Sequence, residues 1–96
     1  MKIFKFQTSS TACAWVRAEE LAFVNVVTNN RFNVSLLGKY DDLANDFITV
    51  TTTAGTGDVE EAATIFANHM QNKNMGGIVD VVAIDNVSST TGITPD

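Results

Sequence analysis

The chain opens on an alternation of apolar and polar positions. In Lys2–Gln7, Phe4 and Phe6 fall on one side and Ile3 and Lys5 on the other, the period of a β-strand. Polar residues 8–11 interrupt it. Residues 12–16 resume it, with Cys13 and Trp15 on one face and Ala14 and Val16 on the other. Residues 17–20, Arg-Ala-Glu-Glu, read as a turn or a single helical turn. Leu21–Thr28 follows. Its second half, Phe23-Val24-Asn25-Val26-Val27, is aromatic and β-branched, which suits a pleated surface better than a helix.

Asn29-Asn30 then sits between two apolar runs. Asn tolerates positive φ, so the pair fits a two-residue hairpin turn. A two-residue loop sets Thr28 against Arg31, Val27 against Phe32, Asn25 against Val34 and Phe23 against Leu36. Phe23, Val27, Phe32, Val34 and Leu36 then share one face, and a one-residue slip scrambles that sorting. Residues 38–46 read as a polar loop containing Tyr40 and Leu43. Residues 47–53 predict a further strand, with Ile48 and Val50 inward and a threonine row at 49, 51 and 53 outward.

One helix is predicted, starting at Asp58. Asp58 is a good N-cap, and Glu61 has the spacing of a capping-box acid. Glu60 and Glu61 also suit the positive end of the helix dipole. Val59, Ala62, Ala63, Phe66 and Met70 form an apolar stripe. Residues 72–77 end the helix, with Gly76 and Gly77 permitting the reversal. Residues 78–84 read as a last β-branched strand, and 85–96 as a polar tail, either extended along a neighbour or loose. The expected fold is α+β: an antiparallel meander of about five strands, one helix packed on a sheet face, then a final strand, in the order βββββαβ.

Composition narrows the functions available. The chain has 96 residues, 45% hydrophobic and 18% charged, which is the balance of a globular domain rather than a disordered one. That length makes one domain, 1–96, which buries roughly 60–65% of its unfolded surface. The formal net charge is −5, and the six Lys and Arg residues are scattered. A surface of that sign does not track nucleic-acid phosphates or an anionic membrane. The opening residues are too short and polar for a signal peptide, and no window approaches a transmembrane span. Cys13 is the one cysteine, which excludes an intrachain disulfide and fits a reducing interior or a particle assembled inside a cell. The sequons at Asn33 and Asn86 are read as chance matches.

Candidate chemistry is sparse. His69 is the one histidine, and Ser9, Ser10 or Cys13 would have to serve as its nucleophile without any local signature of that role. A solvated or capping His is the better reading. Asp41, Asp42 and Asp46 cluster in a loop without the spacing of a calcium site, and Asp80, Asp85 and Asp96 do no better. Gly55-Thr56-Gly57 precedes a helix, but the acids after it repel an anion and no Lys follows. Phe4, Phe6, Trp15, Phe23, Phe32 and Phe47 are read as inward core residues, not a base-stacking platform. No catalytic, cofactor-binding or metal-ligating residue is assigned.

The positive hint lies in sheet edges. Residues 47–53 and 78–84 carry no Pro and few charges, and such edges invite pairing with another chain. Three stretches also resemble small proteins encoded by marine tailed phages, especially those of cyanobacteria. They are Phe4-Lys5-Phe6 with Arg17-Ala18-Glu19-Glu20-Leu21 leading into Phe23-Val24-Asn25; Ile48-Thr49-Val50-Thr51-Thr52 before the acidic-capped helix; and Ile78-Val79-Asp80-Val81-Val82-Ala83-Ile84-Asp85 with its Thr-rich tail. The resemblance implies a phage-encoded accessory or virion-associated protein, placed in the host cytoplasm or the virion. The expectation is a non-enzymatic structural or interaction module that pairs as a homo-oligomer or with another phage or host protein. The alternative is an acidic protein that binds and inhibits a host factor, with a small hydrolase using His69 ranked below both.

Overall fold

The computed structural model describes residues 2–37, 47–72 and 76–91. Seven strands and one helix follow in the order β1 (Lys2–Gln7), β2 (Cys13–Arg17), β3 (Leu21–Thr28), β4 (Arg31–Leu36), β5 (Phe47–Thr52), α1 (Asp58–Gln71), β6 (Gly77–Asp80) and β7 (Val87–Thr91). The class is α+β, as expected. The strands do not form one meander, however. They divide into a three-stranded sheet ordered β2-β1-β6 and a four-stranded sheet ordered β3-β4-β5-β7.

Two expectations fail at the C-terminal side for one reason. Residues 78–84 are not a single strand. The strand ends at Asp80, and Val81–Ala83 forms a 3-10 turn that buries Val81. This turn redirects the chain from one sheet to the other. The segment expected to be a polar tail then supplies β7, with Thr90 opposite Val50 and Ser89 opposite Thr51. Its Ser and Thr residues carry no apolar alternation, so its strand state comes from pairing with β5. Asn86 accommodates the preceding turn at φ 73, and its carbonyl accepts the Thr53 N–H at 2.9 Å.

The hairpin turn stands as expected, with Thr28 opposite Arg31, but the register beyond it does not. Val27 and Ala22 are each an extra residue on β3, so Val26 meets Phe32, Val24 meets Val34 and Phe23 meets Ser35. The slip exchanges the two faces. Val24 and Val26 turn toward Ala63 and Ala67 of α1, while Phe23 is 57% exposed. Small helix residues at 63 and 67 leave room for valines on this side, and turn chemistry alone carries no record of that packing. Trp15, expected inward, is also exposed, whereas Phe4, Phe6 and Phe32 are fully buried as expected.

The helix begins one residue differently from expectation. Gly57, at φ 82, is the N-cap, and no side chain caps the helix. Asp58 is the first helical residue and reaches backward, accepting hydrogen bonds from the Gly55 N–H (3.1 Å) and the Thr53 hydroxyl. A Cβ on residue 55 would stand 2.7 Å from the Asp58 carboxylate and would push that side chain out of its present position. The apolar stripe holds: Val59, Ala62, Ala63 and Phe66 are buried, and Met70 packs against them.

Phe66 is the centre of the core. Its ring centroid lies 4.9 Å from Phe4 and 6.0 Å from Phe6 on the three-stranded sheet, and 5.9 Å from Phe32 on the four-stranded one. These separations fall in the range where aromatic pairs attract beyond simple burial. At the far end of the helix, the buried Lys2 ammonium donates to the His69 carbonyl at 3.3 Å. That carbonyl is among the last four of the helix, which have no partner inside it, and a cation suits this negative end.

Replacing Phe66 by Ala is expected to cost about 3–5 kcal/mol, a large share of a typical domain stability of about 5–15 kcal/mol. Urea titration would measure it, and a cost under about 1 kcal/mol would contradict the role given to this ring.

Candidate functional site

His69 lies in the last turn of α1 and borders an open hollow of about 370 Å³. Ile65, Ile78, Val79 and Ile84 make its apolar wall, and Asp80 and Asp85 share its rim. Sequence reasoning did not foresee this convergence, because the carboxylates follow the histidine through a strand and a 3-10 turn. Burial, and secondarily the positive charge of Lys2, pull the His69 pKa below its ordinary value. The imidazole makes no hydrogen bond among the described residues. Oδ1 of Asp80 is likewise buried without a hydrogen-bond partner among them.

Among the described residues no Ser, Thr or Cys lines the hollow. Cys13 is on β2, at the opposite edge of the three-stranded sheet from β6. Ser9 lies in the β1–β2 turn, where its hydroxyl bonds with Thr11. Nucleophilic catalysis needs nucleophile and base within about 3 Å of each other, and two strand spacings already amount to about 9–10 Å. The loop at 55–57 offers no anion cradle either, since the Asp58 carboxylate holds the Gly55 amide. Asp41, Asp42 and Asp46, with the polar loop expected around them, lie outside the described residues, as does Asp96. Among the described residues no group of three or more His, Cys, Asp or Glu is placed to hold a metal ion, and no helix is long and apolar enough to cross a membrane.

The surface that departs most from an ordinary polar exterior is β3. It is an end strand of the four-stranded sheet, and among the described residues nothing pairs with its outer edge. Its eight residues, LAFVNVVT, contain no charge and no proline. Phe23, Val26 and Val27 are three of the six large hydrophobic side chains left exposed among the described residues. An apolar groove runs beside the strand, lined by Val24, Val26, Ala63 and Ala67, with Glu60 and Thr64 at its margin. Along the chain, charges flank the strand's two ends, where Arg17 pairs with Glu20 at 3.2 Å on one side and Arg31 follows the turn on the other.

The direction of the open backbone groups follows from the ladder. Thr52 N–H donates to the Asn30 carbonyl at 2.7 Å, which makes Arg31 and Thr51 a non-hydrogen-bonded pair. Groups alternate along an antiparallel strand, so Arg31, Asn33 and Ser35 turn theirs toward β3. Their partners Phe23 and Asn25 are thereby satisfied, while Val24 and Val26 direct their N–H and C=O groups to the open edge.

The edge expected at residues 47–53 is absent, because β5 lies between β4 and β7. The edge expected near 78–84 shrinks to the four residues of β6. Sequence reasoning passed over β3 since a hairpin strand reads as paired. The available signal was its eight-residue run without charge.

Comparison of the chain with protein-family models, curated proteins and solved structures finds no match. The resemblance to phage proteins gains no support from them.

The lowered pKa of His69 predicts a pH effect on stability. A base whose folded pKa lies below its unfolded value of about 6.5 binds fewer protons when folded, so stability falls as pH drops through 6.5 toward the folded pKa. Relative to His69→Gln, the native protein should lose melting temperature on acidification from pH 7 into that window. An NMR titration of Lys2→Met should place the imidazole pKa above the native one, because the second cause of the shift is gone.

Proposed function

We propose that this protein is a non-enzymatic structural or protein-interaction module that works by adding a strand to β3. One observation carries the reading: an uncharged, eight-residue end strand keeps the backbone groups of Val24 and Val26 open beside an apolar groove. Edge strands are ordinarily protected by charge, proline or cover, because an open row of donors and acceptors templates another chain. Here the two bulges sit on either side of residues 23–26 and leave that stretch in regular register. Strand addition draws affinity from such main-chain bonds and specificity from adjoining pockets, and the groove under Val24 and Val26 offers a pocket. Attachment to a virion, which the three resembling stretches imply, has no structural observation behind it.

Val26→Lys tests the reading. Val26 is 44% exposed, so its replacement keeps the fold while placing a charge on the edge. The variant should retain the native circular dichroism spectrum and lose the association of the native protein, whether with itself in light scattering or with captured partners. A variant whose assembly state and captured set both equal those of the native protein would remove β3 from consideration.

A further inference from the structure

We infer that the partner strand on β3 is the β3 of a second copy, running antiparallel about a two-fold axis at Asn25. This rests on the reading of β3 as a strand acceptor and names its occupant.

The strand is self-complementary in this register and in no neighbouring one. Antiparallel pairing must join residues whose backbone groups face the open edge, which are Val24 and Val26. Centring the axis on Asn25 sets Val24 against Val26 of the copy, and Val26 against Val24. Both then form hydrogen-bonded pairs, and their side chains meet on the side of the apolar groove. Asn25 stands opposite Asn25, and exposed Phe23 opposite exposed Val27. Apolar residues meet apolar ones and an amide meets an amide, the kind of cross-strand pairing that stabilises sheets. Moving the axis to Val24 keeps the hydrogen bonds but sets Phe23 against Asn25. An axis between Val24 and Asn25 fails outright, because it pairs residues from opposite faces.

The strand itself carries no charge to oppose this pairing. A chain of net charge −5 repels its copies at long range, and an interface without acids in its central strands limits that cost. The product is a continuous eight-stranded sheet, within the size range of open sheets, and the isologous contact closes at the dimer.

The test is disulfide trapping in Cys13→Ser protein. Opposed residues of a non-hydrogen-bonded pair have Cα atoms about 4.5 Å apart, within the roughly 4.4–6.8 Å a disulfide spans. Asn25→Cys, at an exposed position, should therefore oxidise to a covalent dimer at least about tenfold faster than Asn33→Cys, one strand further in. The undecorated protein should be a dimer in light scattering, and Val26→Lys should weaken that dimer at least about tenfold. Cross-linking of Phe23→Cys with Asn25→Cys in a mixture, without self-linking of Asn25→Cys, would overturn the axis position. A native protein monomeric at the highest attainable concentration would overturn self-pairing and leave β3 as an acceptor for another chain. A dimer indifferent to Val26→Lys would overturn this inference, and would overturn the reading it rests on as well if the captured partners were also unchanged.

Discussion

The fold depends on one side chain reaching two sheets. Neither sheet closes a core by itself: one has three strands, the other four, and their apolar faces need a common cover. Phe66 supplies the shared contact, touching Phe4 and Phe6 on one side and Phe32 on the other. The stripe of Val59, Ala62 and Ala63 extends the same helix face, and Ala63 is small enough to admit Val24 and Val26 beside it. The register of β3 therefore answers to the helix. Two bulges insert the residues that place the valines on the helix side of the sheet, Val24 half-buried and Val26 still exposed, and Phe23 goes to the other face as the result.

Where local chemistry decided the outcome, the sequence was legible. β1 alternates strictly and is buried on alternate residues; Asn29-Asn30 turns where its φ preferences allow; α1 buries its apolar stripe. Where a distant partner decided it, the sequence was not. Val87–Thr91 has no apolar alternation and becomes a strand through β5, and Gly77–Asp80 is cut short because Val81 must enter the core. Bulges on β3 leave no trace in composition. The same division applies to function. The sparse reactive chemistry could be read from residue types, but which edge stays open depends on strand order, and that is set by residues far apart in the chain.

The hollow at His69 and the edge at β3 differ in the work they can do. Both are apolar with a few polar groups near them. The hollow gathers ionisable groups whose geometry joins none of them, and its histidine is tuned by burial and a neighbouring ammonium that serves the helix end. The strand at the edge holds no ionisable side chain, yet its backbone presents donors and acceptors at fixed spacing. Specific recognition by strand addition needs that spacing more than it needs reactive side chains.

Both sheets receive their last strand from beyond the helix: β6 completes one and β7 the other. During synthesis, β5 therefore emerges with a bare flank that stays bare until about forty further residues have followed it. Pairings this distant in sequence raise contact order and slow folding, and unpaired flanks in that interval are where misassociation begins. The nascent chain thus passes through a stage in which it is stickier than the finished protein, and its yield in a cell should depend on how quickly those late strands arrive.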